Sequence, residues 1–457
     1  MTKVDAIVVG TGQAGPSLSV RLSSSGLRTV LIERHQLGGT CVNNGCIPTK
    51  TLVASARVAY LARRAAEYGI KLPGPVSVDM KRVKERKDEV VFASRNGLDD
   101  WLKSQSNLSL VHGHARFEGP GQVRVDDKLF EADKVFVNVG ARPIVPPISG
   151  ITQVKYLTNV TMMDVDFVPE HLVVVGGSYV ALEFAQMYRR FGSAVTVLER
   201  GSRLLPRDDE DIAIAIRSIL EEEGVDVVVN ADIVRVEEPV GRPLIHLRDG
   251  SVVRGSHLLV ATGRAPNTED LGLDKAGIET DDRGYIIVDD ELHTNVRGVW
   301  ALGDCNGHGG FTHTSYNDYE IAAHNLLEKD GRKRKLSDRI LAYALYIDPP
   351  LGRVGLTETE VRAGGKKALV GRMPMTRVGR AKERSETLGL MKILVDEESK
   401  QILGAAILGI EGDEVIHVVL DVMYSKAPYT VIRDAMHIHP TVAEFLPTLV
   451  QSLEPLG

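Results

Sequence analysis

Residues 5–34 read DAIVVGTGQAGPSLSVRLSSSGLRTVLIER, and residues 171–200 read HLVVVGGSYVALEFAQMYRRFGSAVTVLER. The second segment repeats the first without a gap: Gly176 stands 166 positions after Gly10, and Glu199 stands 166 positions after Glu33. Each copy opens with a short apolar strand and turns at glycine. It then runs through a helix of small and apolar residues and closes with a β-branched strand ending in glutamate. That order is half of a doubly wound nucleotide-binding fold.

In the first copy Gly10, Gly12 and Gly15 form G-x-G-x-x-G. The first glycine makes a tight turn, the second lets backbone approach a pyrophosphate, and the third allows helix and strand to pack closely. The helix N-terminus offers free N–H groups and a positive dipole to phosphate, and Glu33 is placed to accept hydrogen bonds from ribose hydroxyls. In the second copy Gly176 remains, while Ser178 and Ala181 replace the other two glycines; both are small enough for the turn to survive. Two such units in one chain point to two nucleotide cofactors exchanging electrons. The carboxylate of Glu199 suits a ribose diol and repels a 2′-phosphate, which favours NADH, with NADPH kept open by the nearby Arg200 and Arg203.

Outward from the repeat, Val139–Pro143 and Thr262–Asn267 each follow an apolar strand (134–138 and 257–261) and read as hinge turns between the units. Residues 295–304 read as a strand ending in Gly303-Asp304, which can present a carboxylate to a polyol or simply cap a helix. Cys41 and Cys46, in TCVNNGCIPTK, follow Glu33 and precede a helical pattern spanning Thr51 to Tyr68. Thiols at a helix start beside Lys50 become competent in disulfide exchange. Zinc is the rival, but no second Cys/His pair lies near enough to complete four ligands. Inert thiols are the remaining reading, and the role of Cys305 stays open. Near the end, His437 and His439 precede Glu444; a carboxylate on the far ring nitrogen fixes a histidine as a proton carrier, although an exposed histidine with no role is the plain alternative.

Composition narrows the class. The 457 residues are 43% hydrophobic and 25% charged, near the averages for globular proteins, and this length implies several domains. Aromatics at 5% beside 44 glycines favour Val/Ile-rich parallel sheets over an aromatic-lined sandwich. Net charge is −6, so there is no basic footprint for nucleic acid, and the basic run Lys329–Lys335 reads as a surface linker. No apolar run reaches membrane length and none suits a secretory signal, so a cytoplasmic protein is expected.

GGTCVNNGCIPTK and HIHPTVAE together resemble the flavoprotein disulfide reductases, the family of dihydrolipoamide dehydrogenase, glutathione reductase and mercuric reductase, over essentially the whole chain. The resemblance implies an α/β fold: an FAD domain over 1–150 completed by 269–335, an NAD(P) domain over 151–268, and a C-terminal α+β dimerisation domain over 336–457. By the same resemblance Gly10, Gly12, Gly15, Glu33, Thr40, Lys50, Ala115 (in Gly113-His114-Ala115), Gly140 and Asp304 would hold FAD. Gly176, Ser178, Tyr179, Val180, Glu199 and Gly263 would hold the nicotinamide nucleotide. Glu183 would pair with Lys50 beside the flavin, Cys46 would face it, Cys41 would attack the acceptor, and His439 with Glu444 would act from the other subunit of a homodimer. The sequence Pro349–Gly355, with Ser178 and Cys305, is similar to the mercuric-reductase-like and reactive-chlorine-resistance subgroup, and the C-terminus LVQSLEPLG lacks the cysteine pair that delivers Hg(II). An oxidant, metal-ion or disulfide acceptor follows. A dihydrolipoamide dehydrogenase and a non-catalytic flavoprotein acting through a partner are the alternatives.

Overall fold

The computed structural model describes all 457 residues. The first copy of the repeat builds a five-stranded parallel sheet in the spatial order Val299–Ala301, Val135–Val137, Ala6–Val9, Thr29–Glu33, Leu108–His112. The second builds another in the order Tyr156–Leu157, His257–Val260, His171–Val175, Ala194–Leu198, Val225–Val228. The Val, Ile and Leu side chains of the three inner strands of each sheet are buried on both faces, as parallel strands covered by helices require, while the edge strands Leu108–His112 and Tyr156–Leu157 are only half-buried. The equivalence extends beyond the quoted segments. Each unit carries a three-stranded antiparallel meander, Ala115–Glu131 in one and Ile233–Arg254 in the other, before the strand that returns to the sheet centre. Each also borrows its fifth strand from outside the copy.

The turns explain which glycines the second copy kept. Gly10 has φ +102° and Gly176 has φ +117°, and a Cβ on either would lie 2.3 or 2.4 Å from the carbonyl oxygen of Asn138 or Ala261 in the neighbouring strand. Only glycine fits both the space and the conformation. Ser178 is extended (φ −115°, ψ −175°), so that position makes no such demand.

Three expectations need correction. Val139–Pro143 and Thr262–Asn267 are not independent hinge turns: Ala141–Pro143 and Arg264–Pro266 pair antiparallel, so the chain's exit and return form one ribbon. The helix after the cysteines starts a turn early, at Cys46, runs to Arg63 and ends in a 3-10 turn at Ala65–Tyr68; Gly45 precedes it, and Pro48 sits in the first turn where no N–H is needed. The strand at 295–304 shrinks to Val299–Ala301, because Thr294 and Asn295 use their side chains on neighbouring backbone.

The C-terminal residues form a six-stranded sheet in the order Ala342–Leu345, Leu351–Gly355, Ile402–Leu408, Leu390–Asp396, Ala368–Pro374, Glu454–Pro455, wholly antiparallel. Helix Gly412–Tyr424 lays Val415, Ile416 and Val419 on it, at helical spacing, to close an α+β core.

Candidate functional site: a redox cleft between the nucleotide units

One cavity of about 2670 Å³ runs from the first glycine turn past Cys41 and Cys46 to the second. That is several times the ~300–1,000 Å³ of an ordinary small-molecule pocket and leaves room for two dinucleotides. Gly10, Gly12, Glu33, Thr40, Lys50, Ala115, Gly140 and Asp304 line its first half, and Gly176, Ser178, Tyr179, Val180, Glu199 and Gly263 its second. Gly15 does not reach the cavity. It packs under the turn, where a Cβ would meet the Gly10 carbonyl oxygen at 2.0 Å.

The two glutamates are set differently. Glu33 is buried and accepts from the Thr11 amide (3.0 Å), the Thr11 hydroxyl (2.6 Å) and the His35 amide (2.8 Å). In the second copy Gly177 replaces Thr11, and a Cβ there would lie 2.7 Å from Glu199 Oε2, so the glycine keeps that oxygen clear. The other oxygen accepts from the Gly201 amide at 2.6 Å. Arg200 lines the cavity, whereas Arg203 is spent on the carbonyls of Pro206 and Asp208. Asp304 is ion-paired with Arg264 at 2.9 Å, and burial raises its carboxyl above the usual range despite that cation.

Cys46 is the first residue of its helix and Cys41 lies in the short helix Gly39–Asn43 just before it; both stand as free thiols. Cys46 is lowered to about 6, first by the hydrogen bond from Cys41, then against burial by the Thr312 hydroxyl and the charge of Lys50. Cys41 is pushed upward because it holds its proton toward Cys46, with burial adding to the effect. The hydroxyl and the cation beside Cys46 favour the charge on that sulfur and the proton on Cys41. Cys305, by contrast, is wholly buried, donates to the Val137 and Leu302 carbonyls, and is pushed up to about 12 by burial, so it is a packing residue.

Lys50 Nζ meets both oxygens of Glu183, at 2.9 and 2.7 Å, across the boundary between the two units. His439 Nδ1 lies 2.9 Å from Glu444 Oε2, which fixes the ring, yet the His439 side chain is 78% exposed and lies outside the cavity. Within one chain the histidine and the cysteines are not brought together. Sequence reasoning missed Thr312, whose hydroxyl is 3.0 Å from Cys46 Sγ and which sits in no motif, and it gave Arg264, within Thr262–Asn267, no role of its own. Gly177 was legible as the residue between Gly176 and Ser178 but was not singled out.

The sequence profile of the pyridine nucleotide-disulphide oxidoreductases matches residues 4–323, and that of their dimerisation domain matches residues 341–450. The chain belongs to that family. It is an FAD-dependent pyridine nucleotide oxidoreductase whose C-terminal sheet is the family's dimerisation domain. A probable pyridine nucleotide-disulfide oxidoreductase, RclA of Escherichia coli, is 37% identical over 454 residues, covering 98% of each chain. A mercuric reductase of Streptomyces lividans is 33% identical, covering 99% of this chain and 96% of its own. The solved structure of the HOCl-induced flavoprotein disulfide reductase RclA from E. coli superposes with a TM-score of 0.90 at 36% identity, covering 98% of this chain and 99% of that one. No helix is long and apolar enough to cross a membrane.

Proposed function

We propose that this chain is an NADH-preferring reductase of the reactive-chlorine-resistance type, passing electrons through the Cys41–Cys46 pair to an oxidant, metal-ion or disulfide acceptor. The observation that carries the reading is the placement of Cys41 and Cys46 at the junction of two nucleotide clefts, with the Thr312 hydroxyl 3.0 Å from Cys46 Sγ and Lys50 one turn further along the same helix. Residues 1–150 and 269–335 would hold FAD, with pyrophosphate at the Gly10 turn, ribose on Glu33 and the polyol by Asp304. Residues 151–268 would hold the nicotinamide nucleotide, with ribose on Glu199. The fit rests on the turns, where a side chain in place of Gly10 or Gly176 would collide with the Asn138 or Ala261 carbonyl and distort the loop that faces the cavity.

NADH supplies a hydride, and FAD, when bound, carries that electron pair to a disulfide. What this chain's residues do then follows from their chemistry. Two electrons entering the Cys41–Cys46 bond leave two sulfurs and take up one proton, and the Thr312 hydroxyl and Lys50 beside Cys46 favour that proton on Cys41. Lys50 and Thr312 stabilise the charge on Cys46. For Cys41 to attack an acceptor it must lose its proton, and the partner's His439, oriented by Glu444, would remove and later return it. The exposure of His439 in one chain agrees with such an intersubunit site.

A steady-state screen with NADH against hypothiocyanous acid, Cu(II), Hg(II), lipoamide and glutathione disulfide tests the proposal. Turnover confined to lipoamide would instead make the protein a dihydrolipoamide dehydrogenase. Turnover with none, in the presence of bound FAD, would favour a flavoprotein acting through a partner.

A further inference from the structure

The segment Tyr343–Asp348 leaves the C-terminal sheet and runs along helix Tyr179–Phe191 of the second nucleotide unit. It meets Tyr179, Glu183, Gln186 and Arg190, which lie on one face at i, i+4, i+7 and i+11. The rings of Tyr343 and Tyr179 stand edge to face at 5.5 Å. The Asp348 amide donates to Gln186 Oε1 at 2.7 Å, Gln186 Nε2 donates back to the Asp348 carbonyl at 2.8 Å, and the Asp348 carboxylate bridges Arg190 and Arg57. Tyr346 sits at the centre of this seam. Its amide donates to Glu183 Oε1 at 3.0 Å, and the Lys50 ammonium lies 4.6 Å from its ring centroid. One residue of the C-terminal domain thus touches both members of an ion pair whose halves belong to the two nucleotide units.

We propose that Tyr346 is a positioning residue that holds the Lys50–Glu183 pair in register, its amide fixing the carboxylate and its ring face fixing the ammonium. The inference rests on the reading of Lys50 as the cation that stabilises Cys46. Lys50 lies one turn after Cys46 on the same helix, so the place of its ammonium sets how much of its charge the sulfur feels. Glu183 alone would leave the ammonium free to swing around the carboxylate; a cation attracted to a ring face as well has one place to sit. Burial, together with the charges of Asp413 and Glu183, pushes the Tyr346 phenol upward, so the ring remains neutral and keeps its attractive face.

The test uses holoenzyme carrying Cys41→Ser, in which the Cys46 thiolate against oxidised FAD gives a long-wavelength absorption band that is titrated with pH. Adding Tyr346→Leu, which keeps the amide and removes the ring, is expected to move the midpoint upward. The thiolate fraction below the midpoint should fall roughly threefold to tenfold, a tenfold change being one pKa unit. Adding Tyr346→Phe should restore the Cys41→Ser midpoint, because the ring face suffices. A midpoint unmoved by Tyr346→Leu, or moved equally by Phe and Leu, overturns the proposal. Should the Leu protein not fold, Tyr346→Thr is read by the same criterion. Lys50→Met separates the two levels of the argument: if it raises the midpoint while Tyr346→Leu does not, the positioning role alone is wrong. If it leaves the midpoint in place, the role given to Lys50 falls, and the positioning role with it.

Discussion

Thr312 holds its hydroxyl 3.0 Å from the sulfur of Cys46, reaching it from 266 residues further along the chain. Together with Cys41, the largest influence, and the charge of Lys50, that contact lowers the Cys46 thiol to about 6. In Cys41→Ser holoenzyme the long-wavelength band is expected to be present at pH 8 and lost on acidification through the Cys46 pKa. Thr312→Val should shift that loss to higher pH, because a donor to the thiolate has gone. Cys46→Ser should show no band at any pH. Identical visible spectra for the two cysteine variants would reverse the assignment of the two sulfurs.

Gly10 and Gly176 occupy the same place in the two units, and alanine at either drives a Cβ into a neighbouring carbonyl at positive φ. The effects should separate by cofactor. Gly10→Ala is expected to purify without the yellow of bound FAD, whereas Gly176→Ala should keep it and raise KM for NADH about tenfold, a loss of about 1.4 kcal/mol in binding. Absorbance at purification and a KM series check both, and a Gly176→Ala protein with unchanged KM would count against a nucleotide at the second turn.

Glu199 keeps one oxygen clear over Gly177, and of the two nearby arginines only Arg200 lines the cavity. NADH should therefore exceed NADPH in kcat/KM. Glu199→Gln should narrow the ratio, and Glu199→Gln with Arg200→Ala should narrow it less, since the residual cation is gone. A tenfold preference of the unmodified enzyme for NADPH would refute the role given to Glu199.

His439 lies outside the cavity that holds Cys41 in its own chain. Two inactive variants, Cys41→Ser and His439→Gln, should complement after co-refolding. Random mixing makes about half the dimers mixed, each with one intact site of two, so about a quarter of the unmodified activity is expected under two-fold symmetry. A general acid/base is worth ~10²–10⁴-fold, so the recovery stands well above the parents. Persistent inactivity despite demonstrated subunit exchange would place the histidine's action within its own chain.

Asp348 bridges Arg57 of the first unit and Arg190 of the second, and Arg190 is almost wholly buried. Burial opposes ionisation of Asp348, but the two arginines outweigh it and hold its carboxyl below the usual range. A depressed carboxyl stabilises the fold above its unfolded pKa, and that contribution is lost as pH falls through the lower folded value. Asp348→Asn should destabilise the protein at pH 7 by about 1.5–3 kcal/mol in denaturant unfolding, the usual worth of hydrogen bonds to charged groups, because Arg190 keeps Glu223 and Arg57 keeps Glu386. The deficit should shrink toward pH 3. A deficit independent of pH would mean that the carboxylate's charge is not what the site uses.

The fold class was legible in the sequence because its signals are local. A glycine at a turn, a β-branched strand before it and a glutamate after the next strand lie within thirty residues, and the same spacing occurs twice. The meanders Ala115–Glu131 and Ile233–Arg254 were not legible as equivalents, since each is specified by its own alternation of buried and exposed residues and the two share no sequence pattern. The Lys50–Glu183 contact spans 133 residues, and no periodicity relates its two halves; only the family resemblance named it beforehand. Thr312 and Tyr346 carried no mark, because a threonine at a helix start or a tyrosine after a strand gains its meaning from what the fold brings against it. The ribbon at Ala141–Pro143 and Arg264–Pro266 was misread for the same reason: each strand alone is three residues long and looks like a turn.

That ribbon has a consequence for how such a chain came to hold two copies of one unit. Pro143 and Arg264 are paired neighbours, so the chain leaves the first unit and re-enters it at almost the same point. An insert whose ends meet places no stretch on its host, and exposed sites with adjacent ends are where inserted domains are tolerated. The second unit is in this sense a cassette. Cut at 143 and 264, it can be exchanged for the corresponding unit of a relative only if Glu183, Gln186 and Arg190 go with it, since these side chains meet Lys50 and the segment Tyr343–Asp348.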